Sequence, residues 1–189
     1  MHRELNAEAA QRLCATRPIV LVTTQHATGV VNGGAFGAWT NLGSLQVGIA
    51  VGKPTHTYHN IRRVGEFVIN IPDRALADAV EVFGQDVPEE LSELDEAGLS
   101  TAPSKHVAVP RIAECVAAIE CRFLKELEIG YHSFVVGRIL GGSVREDLVD
   151  DEGYFDVLKA QVLHGYKYPK PFYLLFGDIV EAKQNPSSS

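Results

Sequence analysis

The sequence predicts a mainly β protein, an antiparallel barrel with short helices between its strands. About six or seven segments are rich in β-branched and aromatic residues and are bounded by turn residues or short helices. Strands joined in this way favour one antiparallel barrel over a βαβ fold. The chain has 189 residues, of which 46% are hydrophobic, which is ordinary for a globular core. We expect a single domain over residues 1–183 and a flexible C-terminal tail over residues 184–189.

The N-terminal segments predict a helix followed by a β-hairpin. Apolar residues recur at helical spacing from Leu5 to Leu13, so residues 4–15 are expected to form a helix. This helix ends before Pro18, because proline disfavours the helical conformation in the residue that precedes it. A β-branched run, a glycine-containing turn and a second short run follow, which predicts a hairpin over residues 18–33.

The segment 32–44 has an unusual composition, with four glycines and the only tryptophan of the chain, Trp39. It is too rich in glycine for a stable helix and too irregular for a clean strand. Its small residues would let the backbone approach a ligand closely. The alternative is a glycine-rich connection around a buried tryptophan, and composition alone leaves both interpretations open.

Three elements with clear boundaries follow this segment. Residues 46–51 alternate β-branched with small residues and predict a buried strand. Thr55 can cap the N-terminus of a short helix, and Gly65 can end that helix. Residues 66–71 place their apolar side chains on one face, which predicts another strand.

Two further helices are predicted in the middle of the chain. Asp73 is expected to cap the first helix, which ends at Gly84. The second helix covers residues 88–97 and is acidic, and its carboxylates are expected to form a solvated face. These carboxylates belong to Glu89, Glu90, Glu93, Asp95 and Glu96.

The C-terminal part predicts three strands and one helix. The strands cover residues 114–127, 132–140 and 172–180. The helix covers residues 153–163, between the last two strands. Residues 141–143, with the sequence Gly-Gly-Ser, are expected to form a hairpin turn.

Charge and composition argue against several classes of protein. The chain holds 17 basic and 24 acidic residues, and a net charge of −7 does not suit binding to nucleic acid through phosphate neutralisation. No segment approaches the roughly 18 to 20 apolar residues that a membrane helix needs. The N-terminus is too polar for a secretory signal, so the cytoplasm is the expected compartment. The three cysteines lack a CxxC spacing and are expected to be reduced, buried thiols.

The motifs of several reaction classes do not occur in the sequence. No serine stands in a GxSxG context and no HExxH is present, so neither a hydrolase triad nor a metal site is predicted. Neither GxGxxG nor GxxxxGK[ST] occurs, which argues against a Rossmann or P-loop nucleotide site. The catalytic residues are left unassigned.

One segment, Lys53-Pro54-Thr55-His56-Thr57, carries groups that suit an anion. It stands at a predicted helix start, where free N–H groups and a partial positive charge attract phosphate. The two threonine hydroxyls add donors, and the lysine adds a formal charge. Plain helix capping is the alternative.

Several segments together resemble the flavin reductase-like family of FMN-binding split barrels, in particular its flavoredoxin-like branch. The most specific is GEFVINIP over residues 65–72, which follows a T-x-x-x-x-N-I pattern at residues 55–61. Residues 32–40 and 134–139 also resemble family segments, the latter through a hydrophobic-Gly-Arg pattern. The resemblance extends over about residues 17–180.

The resemblance implies a Greek-key split β-barrel that forms a homodimer with FMN near the subunit interface. It implies that residues 32–41 line the isoalloxazine ring and the ribityl chain, and that residues 53–60 hold the phosphate. Relatives bring a tyrosine or a basic group towards the cofactor near the C-terminus, where this chain has Lys167 and Tyr168. The implied cofactor-binding residues are Asn32, Ala35, Phe36, Ala38, Trp39, Thr40, Asn41, Lys53, Thr55, His56, Thr57, Asn60, Lys167 and Tyr168.

The chain departs from the family pattern at two places. Ala38 stands where the family often has serine, which removes one possible hydrogen bond to flavin. Residues 44–46 stand where the family often has a Pro-Pro pair. His132 resembles a histidine that some flavin reductases place near the nicotinamide, although a local pairing on its strand is the simpler interpretation.

The resemblance implies an NAD(P)H-dependent flavin reductase, in which NAD(P)H delivers hydride to flavin and electrons pass on to an acceptor. The first alternative is a flavoredoxin-like electron carrier that retains FMN and has little activity with NAD(P)H. The second alternative is a barrel that binds haem or another ligand in place of flavin. A redox partner protein is compatible with the acidic composition, but neither nucleic acid nor a membrane is expected as a partner.

Overall fold

The computed structural model describes residues 2, 4–14, 16–85, 87–166 and 170–180. The predicted tail over residues 184–189 lies outside these residues. Among the described residues, no helix is both long and apolar enough to cross a bilayer.

Most of the described chain folds into strands joined by short helices. The strands are β1 (Arg17–Pro18), β2 (Val20–Gln25), β3 (Val31–Phe36), β4 (Trp39–Gly43), β5 (Gln46–Gly52), β6 (Glu66–Ile71), β7 (Thr101–Ala102), β8 (Arg111–Ile112), β9 (Ala117–Ile129), β10 (His132–Val144), β11 (His164–Tyr166) and β12 (Phe172–Leu174). The helices are α1 (Ala7–Gln11), α2 (His56–Val64), α3 (Ala77–Val82), α4 (Glu93–Glu96) and α5 (Val157–Ala160), with 3₁₀ turns at Arg12–Cys14, Arg74–Leu76 and Glu146–Leu148.

One large sheet forms the body of the molecule, with the strand order β3-β2-β6-β9-β10-β5-β4. Every neighbouring pair in it is antiparallel. Three strands separate β2 from β5, yet Val22 of β2 and Ile49 of β5 belong to one buried cluster with Phe67 and Val135. The sheet therefore curls around its own apolar side chains, and the predicted antiparallel barrel is confirmed.

A close contact inside the barrel requires glycine on β10. A Cβ atom at Gly137 would lie 2.5 Å from Cζ of Phe67, whose side chain is fully buried. The register between β9 and β10 shifts next to this residue. The absence of a side chain at Gly137 thus lets the largest core ring fill the barrel interior.

A second, smaller sheet has the order β1-β11-β12 and is also antiparallel. Its first strand precedes the barrel in the chain, and its other two strands follow it. Between β1 and β2, the N–H of Ile19 donates a hydrogen bond to the carbonyl of Leu163 at 2.9 Å. An N-terminal segment and a C-terminal segment of the described chain therefore pair on one side of the barrel.

Local signals predicted several elements correctly. The hairpin of β2 and β3 turns at Gly29, which has a φ of +90°. Thr55 caps α2 by accepting a hydrogen bond from the N–H of Tyr58 at 3.3 Å, and Gly65 ends it with a φ of +76°. Asp73 caps the 3₁₀ turn that leads into α3, in the place predicted for it.

The glycine-rich segments turned out to be strands. Residues 32–44 form most of β3 and all of β4, because pairing with β2 and β5 compensates for their weak strand propensity. Residues 141–143 lie within β10, opposite β9, so the predicted hairpin turn is wrong. The turn of this hairpin is at Gly130, which has a φ of +57°.

Several predicted elements are shorter than expected. The acidic helix begins only at Glu93, because Ser92 is extended and caps it there. The C-terminal strand ends at Leu174, and the helix before it covers only Val157–Ala160. The apolar stripe predicted for the N-terminal helix is largely exposed, since Leu5 is 43% and Leu13 is 75% exposed.

Two of the cysteines confirm the prediction of buried thiols. Cys115 and Cys121 are free and buried, whereas Cys14 is exposed, contrary to that prediction. Burial raises the pKa of Cys121 to about 12 and raises the pKa of Cys115 as well. Both therefore stay protonated near neutral pH and have little nucleophilic character.

Candidate functional site

The first cavity opens at the start of α2 and measures about 320 Å³. We call it the α2 cavity. It lies between β3, the first turn of α2, the chain between α3 and α4, and the tip of the β9–β10 hairpin. Its lining residues are Asn32, Gly33, Gly34, Ala35, Phe36, Pro54, Thr55, His56, Thr57, Phe83, Gly84, Gln85, Glu93 and Tyr131.

The first turn of α2 presents hydrogen-bond donors to this cavity. The N–H groups of His56 and Thr57 precede the point at which helix amides find an acceptor within the helix. The hydroxyl of Thr57 accepts a hydrogen bond from Nδ2 of Asn32 at 3.1 Å and keeps its own proton to donate. Thr57 is only 3% exposed, so this proton needs a partner within the site. These donors suit an anion.

Thr55 contributes differently from Thr57. Its hydroxyl donates to the carbonyl of Gly52 at 2.8 Å and accepts from the N–H of Tyr58 at 3.3 Å. Both functions of this hydroxyl are therefore used to build the helix start. The capping interpretation of Thr55 is confirmed. Thr55 lines the cavity because it stands at the start of α2.

A buried polar network holds α2 against the barrel. Oγ1 of Thr24 on β2 accepts from Nδ2 of Asn32 at 3.0 Å and from Nδ2 of Asn60 at 3.2 Å. Nη2 of Arg63 donates to Oδ1 of Asn60 at 3.1 Å. Because Thr24, Asn32 and Asn60 are buried and paired, the network fixes the position of Thr57 relative to β3.

Two imidazoles meet beside this network. The rings of His26 and His56 are 5.0 Å apart and pack edge to face. Burial lowers the pKa of His26, and the neighbouring His56 lowers it further. His26 is therefore neutral at neutral pH, while His56 faces the cavity.

The carboxylate of Glu93 lies on the opposite wall of the α2 cavity. Its side chain is buried, and Oε2 accepts a hydrogen bond from the N–H of Gly33 at 2.7 Å. The predicted solvated face is thus wrong for Glu93, although it is confirmed for Asp95 and Glu96, which are exposed on α4. Glu89 and Glu90 are exposed as predicted, but they precede the helix. Recognising Ser92 as the N-cap would have changed the face of the helix on which Glu93 is predicted to lie. Nothing in the sequence indicated the contact of Glu93 with β3.

The second cavity measures about 370 Å³ and lies between the small sheet and the barrel. We call it the Arg17 cavity. It shares Ala35, Phe36 and Gly84 with the α2 cavity, so the two cavities adjoin along β3. Its other lining residues are Arg17, Ile19, Gly37, Val80, Glu81, Gly165, Tyr166, Lys170, Phe172 and Tyr173.

The structure brings six of the predicted cofactor-binding residues together. They line the α2 cavity, and two of them also line the Arg17 cavity. The six are Asn32, Ala35, Phe36, Thr55, His56 and Thr57. Sequence reasoning missed several other lining residues, of which Glu93 and Tyr131 come from distant parts of the chain.

The other predicted residues lie outside both cavities in the described chain. Nε1 of Trp39 donates to the carbonyl of Pro18 at 3.1 Å, and Nζ of Lys53 lies 3.2 Å from Oε2 of Glu128. Asn60 belongs to the buried network described above. Ala38 directly precedes β4, and Thr40 and Asn41 follow Trp39 on that strand. Lys167 and Tyr168 lie outside the described residues.

A model of a protein family, described as the flavin reductase like domain, matches residues 12–164 of the chain. The chain belongs to the flavin reductase-like family. The resemblance inferred from the sequence is therefore confirmed, and the family places the chain among flavin-related oxidoreductases.

Relatives and solved structures agree with this family. An uncharacterized protein of Halalkalibacterium halodurans is 35% identical over 150 residues, which are 72% of each chain. The flavoredoxin of Desulfovibrio vulgaris superposes with a TM-score of 0.86 at 26% identity and covers 100% of both chains. A split barrel structure from Shewanella frigidimarina superposes with a TM-score of 0.84 at 18% identity, covering 98% of this chain and 100% of that one. The split barrel fold is thus confirmed.

The residues of the α2 cavity fit a phosphate-bearing flavin. The free amides of the first turn and the proton of Thr57 suit the phosphate. The Glu93 carboxylate accepts hydrogen bonds only, which suits hydroxyl groups rather than the phosphate. The donors and this acceptor therefore stand on different walls of the cavity.

The lowered pKa of His26 predicts a pH dependence of stability. The unfolded chain binds more protons than the folded protein between the lowered pKa and the ordinary value of about 6.5, so stability rises with pH through this window. We expect His26→Gln to make the free energy of unfolding depend less steeply on pH between roughly pH 5 and pH 7. Urea denaturation at several pH values measures this.

The matched control is His59→Gln, because His59 is exposed on the same helix that carries His56. This control should leave the pH dependence as it is in the unchanged protein. An equal effect of both substitutions would contradict the assignment to His26.

Proposed function

We propose that the protein is an FMN-binding flavoprotein that acts as an NAD(P)H-dependent flavin reductase. The observation that carries the proposal is the donor set at the start of α2, in a chain that belongs to the flavin reductase-like family. The proton of Thr57 and the first-turn amides hold the phosphate, and His56 lies beside them. These groups suit a phosphate monoester, the end that FMN carries.

The remaining lining residues orient the cofactor along β3. Asn32 fixes Thr57 by its hydrogen bond, and Ala35 and Phe36 extend the contact surface from one cavity into the next. When bound, flavin supplies the redox chemistry, while the protein supplies binding and orientation. No side-chain acid or base is required for hydride transfer to flavin, and the catalytic residues stay unassigned.

A second candidate is a flavoredoxin-like electron carrier, which retains FMN and exchanges electrons with a protein partner. The similarity to a flavoredoxin over the full length of both chains favours it. Both candidates use the same site, and they differ in whether NAD(P)H reduces the bound flavin. The cytoplasmic location and the assignment of the remaining predicted residues to the cofactor stay predictions.

We also propose a homodimer with FMN near the subunit interface. The far end of the β9–β10 hairpin exposes apolar side chains, and Tyr131 in this group lines the α2 cavity. Exposed apolar side chains grouped on one hairpin are typical of interaction sites. The exposed side chains are Leu124, Leu127, Ile129 and Tyr131, which are 42% to 65% exposed. Light scattering after size exclusion, with FMN present, should give twice the mass of the chain, and a monomer would contradict the proposal.

The visible absorption spectrum tests the proposed reductase. After incubation with FMN and dialysis, the protein should retain flavin absorbance, and excess NADH or NADPH under argon should bleach it. Retained absorbance that neither nucleotide bleaches would favour the electron carrier. A preparation that binds no flavin, even by equilibrium titration, and shows no turnover with free FMN would contradict both candidates and favour a barrel for another ligand.

Replacing Thr57 by valine tests the phosphate assignment. Thr57→Val removes the hydroxyl with little change in volume, so a hydrogen bond to a charged group is lost. We expect FMN affinity to fall by about 1.5–3 kcal/mol, roughly 10- to 150-fold in Kd. Titration of FMN followed by flavin fluorescence measures this.

Thr57→Ser restores the hydroxyl and should restore most of the affinity. Thr101→Val, on an exposed strand away from both cavities, is the control for the loss of a threonine hydroxyl. An unchanged affinity in Thr57→Val would remove Thr57 from the phosphate site.

A further inference from the structure

The Arg17 cavity shares the end of β3 with the flavin assignment, but one of its walls comes from a part of the chain that this assignment does not use. The small sheet forms one wall, through Arg17 of β1, residues of β11 and residues of β12. The opposite wall consists of α3 and the end of β3. The hydroxyl of Tyr173 donates a hydrogen bond to the carboxylate of Glu81, which ties the two walls together at one end.

The polar group that stands out in this cavity is the guanidinium of Arg17. Its Nε is buried and has no hydrogen-bond partner among the described residues. A buried donor without an acceptor is destabilising, and more so for a charged group, so native proteins rarely leave one without a water or ligand partner. A ligand acceptor at the Arg17 cavity would remove this cost.

The charge of the cavity favours an anion. Arg17 and Lys170 are basic, and Glu81 is the acidic residue among its lining residues, where it accepts the hydrogen bond from Tyr173. The lining thus has one excess positive charge, in a chain whose net charge is −7. The positive charge of the cavity therefore comes from its own lining residues and not from the average composition of the chain.

The apolar part of the lining favours a flat ligand. Four aromatic side chains contribute to a cavity of about 370 Å³, which lies within the range of small-molecule sites. Aromatic rings pack on planar groups at their faces and edges. The four are Phe36, Tyr166, Phe172 and Tyr173.

We propose that the Arg17 cavity is a second ligand site, which binds a planar aromatic carboxylate. The carboxylate pairs with the guanidinium of Arg17, whose planar fork matches two carboxylate oxygens, and the ring packs among the aromatic side chains. Lys170, which is exposed, adds attraction at the rim. Because Phe36 lines both cavities, a molecule bound here lies beside the nucleotide, and this placement rests on the proposed function.

Calorimetry with benzoate tests the proposal, and benzamide is the uncharged analogue of the same shape. The protein should bind benzoate at least 10-fold more tightly than benzamide, both free of flavin and saturated with FMN. Arg17→Gln should weaken benzoate at least 10-fold and change benzamide little. Arg12→Gln is the matched control, because Arg12 is exposed and pairs with the nearby Glu8, and it should leave benzoate affinity unchanged.

A second variant keeps the test valid if Arg17→Gln fails to fold. Phe172→Ala truncates a side chain that is 53% exposed, so the fold should persist while benzoate and benzamide both bind more weakly. Equal benzoate affinity in Arg17→Gln and the unchanged protein would overturn the proposal.

Displacement of benzoate by FMN would also overturn it, because the Arg17 cavity would then be part of the flavin site. The failure of the flavin assignment has a different signature. In that case FMN does not bind, while benzoate still binds in a manner that depends on Arg17.

Discussion

The outer edge of β3 needs hydrogen-bond partners, and both cavities depend on how the chain supplies them. β3 ends the main sheet on one side, so its outward amides and carbonyls have no strand beside them. The N–H of Ala35 donates to the carbonyl of Phe83 at 3.1 Å, and the N–H of Gly33 donates to Glu93. The hydroxyl of Ser92 donates to the carbonyl of Val31 at 2.6 Å. The segment 83–93, which we call the covering segment, therefore covers the edge of β3 and contributes lining residues to both cavities.

The glycines of β3 make this covering possible. A Cβ at Gly33 would lie 2.2 Å from Cε1 of Phe83, and one at Gly34 would lie 2.9 Å from Oγ1 of Thr57. The first contact brings the covering segment onto the strand, and the second brings α2 onto it. The absence of side chains at two neighbouring positions thus decides how close the walls of the α2 cavity stand to β3.

Sequence reasoning predicted the parts that depend on neighbouring residues. Thr55 and Gly65 define α2 by local capping, and the alternating pattern of residues 66–71 defines β6. The groups proposed to bind an anion follow directly from the helix start. By contrast, Glu93 reaches Gly33 across 60 positions of the chain, and this contact exists only once the edge of β3 has folded. The glycine-rich strands were missed for the same reason, since pairing outweighs their propensity.

The Arg17 cavity is an extreme case of this dependence on distant contacts. Its walls come from β1, from β3 and α3, and from β11 and β12, so both ends of the described chain must meet before the cavity exists. The α2 cavity draws its anion-binding groups from one short helix start. A site assembled from chain ends can change its lining residues without disturbing the barrel or the helix start. One split barrel can therefore keep the proposed nucleotide site while the proposed ligand site beside it changes, which agrees with the general separation of fold from function.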